Sequence, residues 1–362
     1  MTTTRVALVF GGRSPEHDVS ILSARSVAAA APRPRLEIIP ICVARDGVFV
    51  EPHRSEHILG GKVPSDSGDR AFSFETWWRA GHADVVFPLI HGIGGEDGVL
   101  QGYLDSFDAP YVGSGVAASA VAMDKSHMRH AFAAAKLPVV ETVYVSEAEW
   151  KNERERVTRA VTNVLRLPYF VKPANSGSSI GVTKVKNDRE LVQAMETAFR
   201  FDEKALVERG LDAREIEVSV LGNEKPEASV AGEIVAGRDF YDYEDKYADG
   251  KAELIVPAKL QKEKADEFRR LAIGAFKAVG AAGLARVDFF LERGTNRIYV
   301  NEINTIPGFT KISMYPRLWE ASELKYSRLI ERLIELGLER HQRRGARRES
   351  AMAWLAAAKK IT

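Results

Sequence analysis

The chain has 362 residues, which at roughly 150 per domain allows two or three domains with sizeable cores. Lys and Arg number 51 against 50 for Asp and Glu, so no global field selects nucleic acid or an anionic membrane as partner. With 45% hydrophobic and 28% charged residues, disorder on a large scale is excluded. The single cysteine, Cys42, rules out an intramolecular disulfide and a cysteine-ligated zinc cluster. It sits in the apolar run Ile38–Val43, where burial is the expectation.

Val6–Phe10, the pair Gly11-Gly12, and the helically spaced apolar residues of Val19–Ala31 read as strand, tight loop and helix, the opening of an α/β unit. What precedes Val6 is too short for a signal peptide, and no run of about 18 apolar residues exists to span a membrane. A cytoplasmic protein is the default expectation. Apolar runs at Glu37–Val43 and Ala83–Ile90 predict further strands of a parallel sheet with covering helices. Ligands gather at the loops that follow parallel strands. Two such loops stand out, Gly11–Ser20 and His91–Gly98.

Asp124 suits the N-cap of an Ala-rich helix running to Ala135, and a domain boundary is placed there. Next come an apolar run at Val139–Val145, a charged helix around Ala148–Leu165, a strand at Tyr169–Lys172, and the Gly/Ser cluster Ala174–Gly181, read as a hairpin loop. A helix over Asp188–Phe199 precedes a strand at Ala205–Glu208. The alternation of Ile216, Val218 and Val220 opens a third unit reaching Gly337, and Arg343, Arg344, Arg347 and Arg348 give a solvated basic tail. The expected division is 1–124, 125–215, 216–340 and a tail at 341–362.

Three constellations carry chemistry. Side chains alternate along a strand, so Arg286 and Asp288 share one face and Glu302 and Asn304 share another; an antiparallel pairing in even register brings all four to one surface. Two carboxylates and an amide oxygen are hard ligands suited to Mg²⁺, especially where phosphates complete the shell. Lys172 with the loop Ala174–Gly181 resembles a phosphate cradle, with turned backbone N–H groups, the hydroxyls of Ser178 and Ser179, and a cation. A Walker loop is absent and Gly11-Gly12 is not GxGxxG, which argues against P-loop and dinucleotide-binding proteins. Finally, five glycines among the twelve residues His91–Gly102 let backbone approach a ligand closely, and with Glu16–Ser20 they suggest a substrate pocket.

Taken in order, Gly11–Ser20, His91–Gly102, Tyr111–Gly115, Met123–Lys125, Lys172–Gly181, Phe240–Tyr247, Arg286–Asp288 and Asn301–Thr310 resemble the D-alanine–D-alanine ligase family over about residues 5–338. The resemblance implies an N-terminal parallel-sheet α/β domain followed by a two-part ATP-grasp unit. It also implies ATP as cofactor, two Mg²⁺ with Mn²⁺ able to substitute, two molecules of D-alanine as substrates, and a homodimer. By residue match, Asp288, Glu302 and Asn304 would hold the metals. Lys125, Lys172, Ser176, Gly177, Ser178, Ser179 and Lys246 would surround the phosphates. Glu208, Arg209, Leu211, Glu215, Phe240 and Phe290 would take the adenosine. Arg286 and the Gly308 N–H would stabilise the oxyanion. Glu16 would receive the first ammonium, with Val19 and His91 beside it, and Ser313 the second carboxylate. A network of Glu16, Ser178 and Tyr247 would couple substrate to a lid, and the Phe240–Tyr247 segment resembles the dipeptide-forming type. Other carboxylate–amine ligases would share the nucleotide site but not Glu16, His91–Gly98 and Tyr247 together.

Overall fold

The computed structural model describes residues 3–66, 72–177, 180–235 and 253–358. The first unit runs β1 (Thr4–Gly11), α1 (His17–Ala30), β2 (Leu36–Val43), α2 (Pro52–Leu59), α3 (Phe74–Arg79), β3 (Val85–Pro88), α4 (Val99–Ser106) and α5 (Val116–Met123). Its strands form a parallel sheet in the order β2-β1-β3. Val6 through Phe10 are wholly buried, which is why that segment reads as a continuous apolar run: helices cover both faces of a parallel sheet, and Cys42 lies in the same core. Its two odd loops leave the carboxyl ends of β1 and β3 together.

The second unit holds α6 (Lys125–Ala134), β4 (Thr142–Ser146), α7 (Glu147–Asn152), α8 (Arg154–Val164), β5 (Tyr169–Pro173), β6 (Thr183–Val185), α9 (Glu190–Ala198) and β7 (Lys204–Arg209). Its antiparallel sheet has the order β4-β7-β5-β6, and β5 and β6 form the expected hairpin around the Gly/Ser loop. Asp124 caps α6 by accepting from the backbone N–H of Ser126 and His127. The single helix expected around Ala148–Leu165 is two helices, because a Ser146/Glu149 capping box starts a short one that ends at Glu153.

The third unit contains β8 (Ala213–Gly222), β9 (Glu227–Val235), β10 (Glu253–Ile255), α10 (Lys262–Ala278), β11 (Gly283–Glu292), β12 (Ile298–Asn304), α11 (Met314–Glu320) and α12 (Tyr326–Ala358). The sheet is antiparallel in the order β10-β9-β8-β11-β12. Two features depart from the sequence expectation. Leu329, Ile330, Leu333 and Ile334 of α12 pack in one core with Val6, Leu8 and Phe10, so the C-terminal helix completes the first unit. The basic tail, expected to be free in solvent, continues α12 to Ala358. Arg344 pairs with Asp105 at 2.7 Å, Arg348 and His341 with Asp108, and Arg343 with Glu224. No helix among the described residues is long and apolar enough to cross a membrane.

Candidate active site

The pairing of β11 with β12 aligns Arg286 with Asn304 and Asp288 with Glu302, so the four polar side chains meet in the register the alternation predicts. A bulge follows at once, between Asp288 and Phe289, and leaves Asn301 without an opposite residue; its Oδ1 accepts from Arg129 Nη2 at 3.1 Å. Arg286 donates to Asp288 through two bonds of 2.7 Å, and its Nε lies 3.0 Å from Glu217 Oε2 on β8. Asn304 Nδ2 donates to Asp288 Oδ2 at 3.0 Å. Burial alone would weaken the charge of Arg286, yet Asp288, Glu217 and Glu302 together raise its pKa well above the usual value. The guanidinium is therefore a fixed positive point.

Lys125, at the first turn of α6, places Nζ 3.7 Å from Glu302 Oε2 and donates to the Ser176 carbonyl. Two cations, Lys125 and Arg286, thus face three carboxylates, Asp288, Glu217 and Glu302. The surplus of negative charge, and the hard oxygen donors of Asp288, Glu302 and Asn304, fit a divalent cation. Among the described residues, no cluster of three or more His, Cys, Asp or Glu side chains is already arranged as a metal site. The set has only two carboxylates, and Asp288 is turned to Arg286.

Two cavities meet at this cluster. The larger, of about 660 Å³, lies between the four-stranded and five-stranded sheets and is lined by Lys172, Ser176, Glu208, Arg209, Leu211, Glu215 and Phe290. Glu208 is almost wholly buried and accepts from Lys172 at 2.8 Å and Arg129 at 2.9 Å; burial would raise its pKa, but these two cations bring it below the usual range. It therefore aims Lys172 into the cleft. Arg209 is held by Glu141, Glu292 and the Tyr299 hydroxyl. The smaller cavity, of about 380 Å³, is lined by Glu16, Val19, His91, Glu96, Gly308 and Ser313. Lys125, Ser176, Glu217, Arg286 and Glu302 line both.

The first unit supplies Glu16 at the start of α1, with Val19 one turn on. Gly92 sits at φ +70°, and a Cβ there would stand 2.9 Å from Ser14 Oγ and 3.0 Å from Glu16 Oε2, so glycine is what allows the two loops to meet. A Cβ on Gly177 would likewise lie 3.5 Å from Glu16 Oε2, which puts the Gly/Ser loop against the first unit. His91 is buried, and burial lowers its pKa more than Glu16 raises it. Its Nδ1 donates to the Ile306 carbonyl at 2.9 Å. Ser313 Oγ accepts from the Thr310 N–H at 3.1 Å beside Gly308. Ser178, Ser179, Phe240, Lys246 and Tyr247 lie outside the described residues.

Glu96 and Glu217 line these cavities and Ser23 is buried behind His91, and the sequence reading gives none of the three a site role. Glu96 accepts from the backbone N–H of Ile306 at 2.7 Å and of Gly92 at 3.0 Å; burial first, then Glu16, pushes its pKa up to about 8. A carboxylate inside a glycine-rich run was the available signal for Glu96. For Glu217 it was the alternation of Glu215 and Glu217 along β8, which sets Glu217 opposite Asp288.

Comparison with known proteins matches most of the chain to one family. The family model described as D-ala D-ala ligase N-terminus matches residues 5–114, and that described as D-ala D-ala ligase C-terminus matches residues 131–335. A D-alanine–D-alanine ligase of Geobacillus thermodenitrificans is 45% identical over 94% of this chain and 96% of its own length. One from Halothermothrix orenii is 46% identical over 94% of this chain and 99% of its own. Among solved structures, the D-alanine-D-alanine ligase from Coxiella burnetii superposes with a TM-score of 0.81 at 33% identity, covering 99% of this chain and all of that one. The VanG D-Ala:D-Ser ligase from Enterococcus faecalis gives 0.83 at 32% identity, covering 93% of this chain and all of that one.

Proposed function

The chain belongs to the D-alanine–D-alanine ligase family, ADP-forming enzymes of the ATP-grasp fold, and we propose that it joins two D-alanines to D-alanyl-D-alanine, driven by ATP, for peptidoglycan precursor synthesis. The observation that carries this reading is the junction of the two cavities at Lys125, Arg286 and Glu302. A carboxylate is a poor electrophile. Coupling it to an amine in water needs a better leaving group, and a nucleotide cleft that opens onto an amino-acid pocket at fixed cations supplies one.

In this reading ATP occupies the larger cavity, with its phosphates at Lys125, Lys172 and the Ser176–Ser179 loop and its adenosine near Arg209, Leu211, Glu215 and Phe290. Glu16 takes the ammonium of the first D-alanine. The carboxylate of that D-alanine attacks the γ-phosphorus, the bond to the β-bridging oxygen breaks, and ADP leaves an acyl phosphate. The amine of the second D-alanine, its carboxylate at Ser313, adds to the acyl carbon, loses a proton and expels phosphate. Arg286 and the Gly308 N–H face the oxygen that gains charge, where preorganised donors lower the barrier most. Two Mg²⁺ held by Asp288, Glu302 and Asn304 would supply neutralisation of the phosphate charge. The closeness of Gly177 to Glu16 supports the expected link of Glu16 with Ser178 and, through Tyr247, a lid that keeps water from the acyl phosphate.

A homodimer through the first unit, in the cytoplasm, completes the proposal; exposed Val99 and Val116 on adjoining helices α4 and α5 support an apolar contact there. The test is ADP release from Mg-ATP with D-alanine, against L-alanine, D-lactate and D-serine as second substrates. D-alanine alone should support turnover. Preferred ester or D-serine product would overturn the second-substrate assignment, and D-alanine-independent ATP consumption would overturn the reaction.

A further inference from the structure

We propose that Ser23, His91 and Glu96 form a clamp from the first unit that positions the Gly308 amide against the reacting carbonyl. The inference rests on the ligase reading. The segment Thr305–Phe309 follows the end of β12 and precedes α11, so no strand or helix ladder holds the peptide groups on either side of Gly308. Those groups are held by side chains of the other unit. The Ile306 N–H donates to Glu96 Oε1 at 2.7 Å, and the Ile306 carbonyl accepts from His91 Nδ1 at 2.9 Å. On the far side, the Phe309 N–H donates to Ser23 Oγ at 3.4 Å, and Ser23 Oγ lies 3.0 Å from His91 Nε2.

The direction of each bond is forced. A carbonyl only accepts, so Nδ1 of His91 carries the hydrogen. A neutral imidazole then leaves Nε2 bare, and the Ser23 hydroxyl must donate to it. That leaves the Ser23 lone pairs for the Phe309 N–H. Burial of both Ser23 and His91 keeps water from competing. Glu96 closes the frame, since its second oxygen accepts from the Gly92 N–H beside Glu16, and the Tyr326 hydroxyl fixes the Phe309 carbonyl at 2.6 Å. Gly308 thus lies between two anchored peptides, while a Cβ on it would press on Ser313 Oγ at 3.2 Å. One frame ties the ammonium site, the oxyanion donor and the second-carboxylate site together.

These are positioning residues, and their effect belongs to the transition state. A misplacement of about 1 Å at a reacting centre costs on the order of 10²-fold. Ser23→Ala removes both relay bonds. Glu96→Gln turns an NH₂ group toward one of two backbone donors. Each should lower kcat by roughly 10- to 100-fold with KM for D-alanine and ATP within about threefold. The affinity of a phosphinate mimic of the tetrahedral intermediate should fall by the same factor as kcat, because only that species uses the aimed N–H. An unchanged kcat in both folded variants, or mimic and D-alanine weakened alike, would overturn the clamp. In the parent protein, ¹⁵N-histidine spectra should show His91 as the neutral Nδ1–H tautomer whether or not the variants fold; an Nε2–H tautomer or an imidazolium would also overturn it. If the parent releases no ADP with D-alanine while His91 shows the expected tautomer, the ligase reading fails and the frame remains only as structure, which overturns its assigned role.

Discussion

Asp288 is shared between a guanidinium and an amide, Arg286 on one side and Asn304 on the other, and Glu302 across the ladder is shared with Lys125. The two cations and three carboxylates leave one surplus negative charge here before any ligand arrives, so removing one carboxylate removes the surplus that attracts a cation. Glu302→Ala should therefore cut Mg²⁺-dependent phosphate release by about 10³-fold, the several kcal/mol of charge stabilisation that a metal site supplies at 1.36 kcal/mol per decade. A fluorescence or calorimetric titration of Mg²⁺ into the nucleotide-bound variant should weaken in parallel; unchanged binding would remove Glu302 from the metal set. Arg286, Asp288, Glu302 and Asn304 were legible in the sequence because strand alternation, with an antiparallel pairing in even register, puts them on one surface. Ser23 and Glu96 were not, because their roles are hydrogen bonds to backbone 210 to 286 positions away, and no local pattern records such a partner.

At the scale of elements, the start of α6 sets Lys125 in the junction. Asp124 caps that helix and also accepts from Lys204 on β7. Burial would raise its pKa, but Lys204 and the His127 N–H outweigh that and hold it down to about 2. The folded-state pKa is thus depressed below the unfolded one, so the stabilisation is complete above the ordinary aspartate range and fades as pH falls from about 4 toward 2. Asp124→Asn keeps a competent cap but loses the pair. It should cost on the order of 2 kcal/mol in urea unfolding at pH 7, with the deficit shrinking steadily as the pH is lowered through that window. A deficit independent of pH would deny the pair its role. Element type was well marked in the sequence, from the capping aspartate to the hairpin around the Gly/Ser loop. The split at Glu153 and the long run of α12 were hidden: the first depends on a Ser146/Glu149 box inside one charged segment, the second on Asp105, Asp108 and Glu224 from distant parts of the chain.

For the whole molecule, three sheets are arranged so that two cavities share a wall of cations and carboxylates, and the C-terminal helix packs into the core of the N-terminal sheet. That return packs Ile306 and Phe309 into one core with β1, in the unit that holds Glu16, beside the wall that the two cavities share. The central claim is that the carboxylate of the first D-alanine is itself phosphorylated at the shared wall. It is tested most directly with D-alanine carrying ¹⁸O in its carboxylate, Mg-ATP and the purified protein, followed by mass analysis of the released phosphate. One ¹⁸O atom in each phosphate, formed in step with D-alanyl-D-alanine, is the predicted result; dipeptide accompanied by unlabelled phosphate would contradict it.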